Sequence, residues 1–387
     1  MSSIKYIAVF FGGRSTEHDI SIISALSSVI KPLELTKKYN VVPVYITKDG
    51  KWFSDEKFKD INTFSGGGID DLCAKLKPLA VVFDGGMIIK KSGFNSKDIR
   101  IDIAFPVMHG PYGEDGSLMG LFRMAGIPFV GSDMEASVVA MDKVLTKQVA
   151  EANNIPTPKF VFFTKIEFMA DPKLIIKKVT KDLSFPQFVK PAHLGSSIGI
   201  TKVKNIDELL NAIEVAAYYD DKIIVEESVQ DLIEVTVPIM GNDILVPASV
   251  ERPLAQSEEF FDFDTKYLHG GKKTGGAKQS GSQGYSEIPA KIPKNLYDDS
   301  IDIAKKVYTA VGCEGISRVD LLIDSKSGIV YFNEVNPLPG SLYAHNWRAS
   351  GISSIDLVTR LVEYAQERFD CDKKIETTFS SNFLKQF

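Results

Sequence analysis

The apolar run Tyr6–Phe11 stops on Gly12-Gly13, and this junction constrains the fold more than any other feature of the 387-residue chain. A short continuous apolar run closed by glycines fits a strand buried on both faces, as in a parallel sheet covered by helices. The residues that follow fit such a cover. Ile22, Ile23, Leu26, Val29 and Ile30 fall on one helical face, with Thr16 and Asp19 spaced for a weak cap. Further strand-like runs at Val41–Ile46, Leu79–Phe83 and Ile101–Phe105 predict an open α/β sheet for the first third. Gly126–Gly131 closes that unit, and a helix starts near Met134.

From Phe160 to Gly241 the pattern reads strand, helix (Pro172–Thr180), strand (Phe185–Lys190), glycine-rich loop, strand (Ile198–Val203), helix (Asp207–Ala217), strand. That is a compact α+β unit. The stretch Ser257–Gly284 is rich in glycine and poor in aliphatics, and reads as a long irregular loop of the kind that forms lids or disordered segments. Two strands, Ile316–Ile323 and Ile329–Val335, and a terminal helix, Ser354–Phe369, complete the chain. At 42.7 kDa the protein exceeds what one hydrophobic core supports, so two or three domains are expected.

Lys plus Arg total 45 against 50 Asp plus Glu, a net charge of −5. Such a balance argues against tracking a nucleic-acid backbone or an anionic membrane. The longest stretch without Asp, Glu, Lys or Arg, Val335–Trp347, is broken by prolines and falls short of the roughly 18 residues of a spanning helix. The apolar core of Tyr6–Phe11 is also shorter than the about 7–15 residues of a signal peptide. Cys73, Cys313 and Cys371 share no metal-type spacing and read as reduced structural thiols. The expectation is a cytoplasmic protein.

Four clusters carry possible chemistry. Arg318 and Asp320 are two apart on one strand, and Glu334 and Asn336 two apart on the next. Period two places each pair on one face, so hairpin neighbours would bring a guanidinium, two carboxyls and an amide together. Mg²⁺ favours one or two carboxylates completed by phosphate oxygens, although the same pattern also serves as a surface ion-pair cluster. The turn Lys190–Ser197 joins two apolar strands, and its small residues would let backbone N–H groups approach a phosphate. A plain hairpin turn has the same composition. Lys143 and Lys147 lie i, i+4 on one helix face, which is common on solvated helices. The loops His109–Gly116 and Gly12–Glu17 each follow a strand of the first sheet, where open α/β sheets bind ligands. His109 and Glu114 supply anchors there, and Glu17 suits a substrate ammonium or a helix dipole.

Taken together these motifs resemble the D-alanine–D-alanine ligases of the ATP-grasp superfamily. The resemblance rests on GGRSTEHDIS at 12–21, HGPYGEDGSLMGLFRMAGIPFVGSDMEASVVAMDK at 109–143, VKPAHLGSSIGITKV at 189–203, and SRVDLLI with YFNEVNPLPGS at 317–341. It implies an α/β and α+β fold of three parts: an N-terminal substrate domain 1–133, a central lobe 134–229, and a C-terminal lobe 230–387 with a lid at 257–285. It implies ATP-dependent ligation of two D-alanines through an acyl phosphate, for peptidoglycan precursors, by a homodimer. Asp320, Glu334 and Asn336 would hold two Mg²⁺ ions, with Mn²⁺ as a substitute. Lys143, Lys190, Ser197 and Lys266 would contact ATP, and Glu226 and Glu234 its adenine and ribose. Glu17 would bind the first D-alanine's ammonium and His109 would lie by its carboxylate. Arg318 and the backbone at Gly340 would stabilise the tetrahedral oxyanion. Ser196 would link Glu17 to Tyr267 at the tip of the lid.

This chain departs from the pattern in three places. His345 stands where the family offers a serine to the second substrate's carboxylate, so a sister ligase taking D-serine, D-lactate or another amino acid is the alternative. The lid gains Lys272, Lys273 and Lys278 within 270–284, and Gln230–Glu234 replaces a Gly-Arg-Glu. A catalytically silent nucleotide-binding protein is the rival of another class, separable by amino-acid-dependent ADP release.

Overall fold

The computed structural model describes residues 4–90, 97–195, 197–254 and 286–387. The expectations for Ser196, Lys266, Tyr267 and the lid at 257–285 lie outside these residues.

The first sheet contains β1 (Lys5–Gly12), β2 (Tyr39–Ile46) and β3 (Trp52–Phe53). Three strands follow at β4 (Ala80–Phe83), β5 (Met87–Lys90) and β6 (Ile99–Ile101), and β7 (Ile103–Pro106) returns to the first sheet. Its order is β3-β2-β1-β7, with β1 parallel to both β2 and β7. The double burial expected of β1 is met by its pleat. Ile7, Val9 and Phe11 enter one core, while Ala8 and Phe10 enter the core on the opposite face. The helix His18–Ser24 continues through a π-turn, Ala25–Ile30, into Lys31–Thr36.

Four local expectations are corrected. No side-chain cap forms at Thr16 or Asp19; Glu17 takes the cap position without a capping bond. Ile23 is exposed, because it lies about 100° around the helix from Ile22, at the edge of the face that Ile22, Leu26, Val29 and Ile30 bury. The run Leu79–Phe83 does not extend the parallel sheet: β4, β5 and β6 form an antiparallel sheet of their own. The run Ile101–Phe105 is divided at Asp102, whose backbone N–H donates to Tyr6 O and whose carboxylate accepts from Tyr6 N–H. That exchange moves the chain from one sheet to the other.

The second sheet, ordered β10-β9-β11-β8, is built from β8 (Phe160–Thr164), β9 (Gln187–Pro191), β10 (Thr201–Val203) and β11 (Lys222–Glu227). β10 starts later than the apolar pattern implies, since Ser197 and Gly199 take φ of +60° and +72° and keep 197–199 out of strand geometry. The third sheet comprises β12 (Leu232–Gly241), β13 (Val246–Pro247), and, after the short pair β14 (Arg252–Pro253) and β15 (Ser286–Glu287), β16 (Gly315–Asp324) and β17 (Ile329–Asn336). Its order is β13-β12-β16-β17. Helices Met134–Met141 and Lys143–Ala152 pack into its core through Ala136, Ala140 and Ala150, beside the helix Lys294–Val311. The terminal helix Ser354–Asp372 buries Leu357, Val358 and Leu361 against the N-terminal core, alongside Trp347. Among the described residues no helix is long and apolar enough to cross a membrane.

Trp347 is fully buried, and its Nε1 donates to Leu342 O at 3.1 Å. Trp347→Ala therefore costs about 3–5 kcal/mol through cavity formation, and Trp347→Phe less. Urea denaturation reads this directly; an alanine variant with an unshifted midpoint would contradict the packing.

Candidate active site

β16 and β17 pair antiparallel, with Arg318 opposite Asn336 and Asp320 opposite Glu334. The convergence expected from period two is therefore present. A bulge lies beyond Asp320, where Leu321 pairs with Phe332 and leaves Asn333 as the extra residue of β17. Without it, Asn333 and Glu334 would point to opposite faces; the bulge lets both meet lysines. Asn333 Oδ1 accepts from Lys190 Nζ at 3.2 Å, and Glu334 pairs with Lys143 at 3.7 Å.

Around this ladder charges alternate. Arg318 binds Asp320 through Nε (2.8 Å) and Nη2 (2.5 Å) and stands 4.0 Å from Glu334. Thr236 Oγ1 and Asn336 Nδ2 also donate to Asp320, at 2.9 and 3.3 Å. Burial raises the Asp320 carboxyl above its ordinary pKa, with Arg318 opposing and Glu334 adding to that rise. A surface ion-pair cluster would not be desolvated in this way.

A second knot sits deeper. Lys147 is fully buried, pairs with Glu226 at 3.2 Å and donates to Thr157 Oγ1 at 2.9 Å. Lys190 reaches the other Glu226 oxygen at 2.8 Å. Burial pushes the Lys147 ammonium down to about 8 despite its partner. Burial opposes the Glu226 charge, but the two ammonium groups outweigh it and hold the carboxyl low. The i, i+4 lysines are thus inside the protein rather than on a solvated face. Glu234, by contrast, holds an exposed position on β12 opposite Leu322.

The loops of the first sheet close the other side. At Gly110, with φ of +71°, a Cβ would stand 2.6 Å from Ser15 Oγ and 3.2 Å from Glu17 Oε2, so only glycine fits. The same Glu17 oxygen is 3.6 Å from where a Cβ would stand on Gly195, in the turn after β9. Glu17 therefore lies where the two glycine loops meet. Glu114 accepts from Gly110 N–H at 2.7 Å, and burial together with Glu17 pushes its carboxyl up to about 8. His109 is buried, its pKa lowered by desolvation, and its Nε2 lies 3.2 Å from Ser24 Oγ.

After Gly340 the chain makes a left-handed turn. Ser341, Leu342 and Tyr343 take φ of +50°, +53° and +49°, a conformation costing about 1–2 kcal/mol per residue. Ser341 N–H donates to Ser24 Oγ at 3.0 Å, Leu342 N–H to Pro339 O at 2.9 Å, and Tyr343 lies 5.0 Å from the Arg318 guanidinium. His345 follows, and its Nε2 is 3.0 Å from Glu251 Oε2. The imidazole thus already faces a carboxylate. A serine hydroxyl is nonetheless present, since Ser341 Oγ stands 3.4 Å from Ser24 Oγ, beside His109.

Residues 6–132 match the family model described as D-ala D-ala ligase N-terminus, and residues 149–363 the one described as D-ala D-ala ligase C-terminus. The chain belongs to the D-ala D-ala ligase family. It is 35% identical to the D-alanine–D-alanine ligase of Acetivibrio thermocellus over 97% of this chain and 99% of that one. With the ligase of Chlorobium limicola it shares 39% identity over 94% and 97% of the two chains. Among solved structures, the VanG D-Ala:D-Ser ligase of Enterococcus faecalis has a TM-score of 0.75 at 33% identity, covering 93% of this chain and 99% of that one. The D-alanine–D-alanine ligase of Coxiella burnetii has a TM-score of 0.79 at 25% identity, covering 96% and 97%. The fold is that of the ATP-grasp ligases.

Within this family fold, the structure brings Glu17, His109, Lys143, Lys190, Glu226, Arg318, Asp320, Glu334 and Asn336 into one connected neighbourhood. Ser197 lies on the turn after β9, and Gly340 opens the left-handed turn. Sequence reasoning missed Ser24, Thr236, Asn333 and Ser341. A signal for Ser24 was present: Ser21, Ser24 and Ser28 share a buried helical face, where polar residues need partners. Because Glu226 separates two buried ammonium groups, Glu226→Gln is expected to cost about 3–5 kcal/mol. Adding Lys147→Met should recover part of that loss in urea denaturation; a fully additive double variant would deny the coupling.

Proposed function

We propose that this chain joins two D-alanines in an ATP-dependent reaction: one carboxylate is phosphorylated, and the amine of the second molecule displaces phosphate from the acyl phosphate. The observation that carries the reading is the half-buried run of alternating charge, Lys143–Glu334–Arg318–Asp320, between a glycine turn and the loops bearing Glu17 and His109. Phosphoryl transfer asks a protein mainly for positioning and charge neutralisation.

In this reading Lys143 and Lys190 receive the ATP phosphates, while Glu226, held by Lys147, accepts from the adenine. The ribose is assigned to Glu234, and Ser197, on the turn after β9, to the phosphates. Glu17 binds the donor's ammonium, with His109 beside its carboxylate. Arg318 and the amide at Gly340 take up the oxyanion of the tetrahedral intermediate. The peptide bond serves peptidoglycan precursor synthesis in the cytoplasm.

The residues present suit Mg²⁺. Asp320 and Glu334 oppose each other across the ladder, Asn336 adds an amide oxygen, and desolvation with Glu334 nearby raises the Asp320 carboxyl even against Arg318. Mg²⁺ bound there would neutralise charge developing on the transferred phosphoryl group. Arg318 would exchange Asp320 for the oxyanion, and its stack on Tyr343 would keep it in place. Divalent-ion binding also answers the crowding of two carboxylates in a desolvated site.

The acceptor has a second reading, supported by the His345–Glu251 pair and the structural likeness to a D-Ala:D-Ser ligase. A polar pair at the end of the left-handed turn suits an acceptor carrying a hydroxyl. Mass-spectrometric products from D-alanine alone and with D-serine, D-lactate or L-amino acids distinguish the two. D-alanyl–D-alanine as the main product supports the first, and a mixed dipeptide the second. Product with neither, or ADP release indifferent to amino acids, contradicts ligase activity.

Asp320→Asn and Glu334→Gln should each lower ADP release by about 100-fold or more, the scale of losing one preorganised electrostatic group. Circular dichroism should report retained structure. Near-normal turnover in both variants would remove the metal assignment.

A further inference from the structure

The turn after β9 is fastened to its surroundings by one side chain that the proposed chemistry does not use. The backbone N–H of His193 donates to Asp220 Oδ2 at 2.7 Å, and its ring Nδ1 lies 3.0 Å from Asp220 Oδ1. The other ring nitrogen, Nε2, lies 3.3 Å from Asp142 Oδ2. These carboxylates belong to different elements. Asp220 ends the helix Ile206–Tyr219, whereas Asp142 caps the helix Lys143–Ala152 by accepting from Val144 and Leu145 N–H groups at 2.9 and 3.2 Å. An imidazole with a carboxylate at each nitrogen can donate to both only when doubly protonated. The neutral ring would turn a lone pair toward one of them.

The same junction fixes the groups proposed to meet phosphate. Lys143 N–H donates to Ala192 O at 3.0 Å, and Lys143 Nζ donates to Leu194 O at 2.6 Å. Residues on both sides of His193 are thus tied to the lysine that opens the helix. Lys222 Nζ, from β11, also binds Asp142 at 2.5 Å, and Ala192 N–H donates to Lys222 O at 3.0 Å. The charged groups around the ring are therefore Asp142 and Lys143 from one helix, Asp220 from the end of another, and Lys222 from the sheet.

We propose that His193 is a positioning residue for nucleotide binding, whose imidazolium rivets the glycine-serine turn to the start of the Lys143 helix. The inference rests on the ATP-dependent reading of the cleft. The side chain has no direct contact with substrate to make; it holds the turn's backbone and the Lys143 ammonium in register. Hydrogen bonds to Asp142 and Asp220 raise the ring's pKa from 6.5 to about 9. The sign follows: the charged rivet is complete near neutral pH and is lost as pH rises through about 9.

The test is ATP affinity measured with Mg²⁺ between pH 7 and 10 for the wild type, His193→Ala and His193→Arg. Losing a charge-assisted contact should weaken ATP binding about tenfold in His193→Ala at pH 7, with the Michaelis constant for D-alanine unchanged. His193→Arg retains a cation that does not titrate in this range, so it should restore affinity at pH 7 and lack the loss near pH 9. Lys147 titrates in the same cleft, and the difference between wild type and the arginine variant removes its contribution. Where the alanine variant does not fold, as judged by circular dichroism, His193→Gln makes the same comparison with one nitrogen donor kept. ATP binding by the alanine or glutamine variant equal to wild type at pH 7, or an arginine variant with the wild-type step near pH 9, overturns the role. A wild type that binds no ATP fails the underlying reading instead, so the two failures are distinguishable.

Discussion

Buried Glu226 and half-buried Asp320 and Glu334 need cations, and most of these cations arrive from elsewhere in the fold. Lys143 and Lys147 come from a helix packed on the third sheet, Lys190 from the second sheet, and Arg318 from the ladder itself. Leaving any one of these charges uncompensated in a desolvated place costs several kcal/mol. The second and third sheets are therefore held in register by the same groups to which the proposed chemistry is assigned. In the proposed reading, phosphates entering the cleft would compete with the carboxylates for the lysines, and Mg²⁺ held by Asp320 and Glu334 would relieve that competition.

The first sheet meets this cleft through two contacts that tolerate little change. Glu17 fits beside Gly110 because that position carries no Cβ, and it lies in van der Waals reach of Gly195. Ser24 binds the strained turn at Ser341 on one side and His109 on the other. The turn's three left-handed residues are kept by buried Leu342, by Trp347 and by the stack of Tyr343 on Arg318. Strain of this kind survives only where packing over-determines the backbone, and here the result is to hold Arg318 near the place assigned to the oxyanion.

Much of this was legible in the sequence because period two is a strict rule. The pleat of β1 and the convergence of Arg318, Asp320, Glu334 and Asn336 follow from it. The bulge was written there too, as Asn333-Glu334 between the inward residues Phe332 and Val335, but one extra residue is easily read as an ordinary strand position. Other features depend on tertiary context. Lys143 and Lys147 look the same on a solvated helix as in a buried one, since only Glu226 and Glu334, distant in sequence, bring them inside. Leu79–Phe83 has strand composition whichever sheet receives it. His193 reads as one member of a turn until Asp142 and Asp220 are seen on either side.

The role proposed for these charges is to activate a substrate carboxylate by phosphorylation before the peptide bond forms. The direct measurement uses D-alanine labelled with ¹⁸O in its carboxylate, incubated with the enzyme, ATP and Mg²⁺, and follows the label into inorganic phosphate by mass spectrometry. Displacement of an acyl phosphate by an amine leaves one carboxylate oxygen on the departing phosphate, so each dipeptide formed should release one labelled phosphate. Dipeptide formation with unlabelled phosphate would contradict the account.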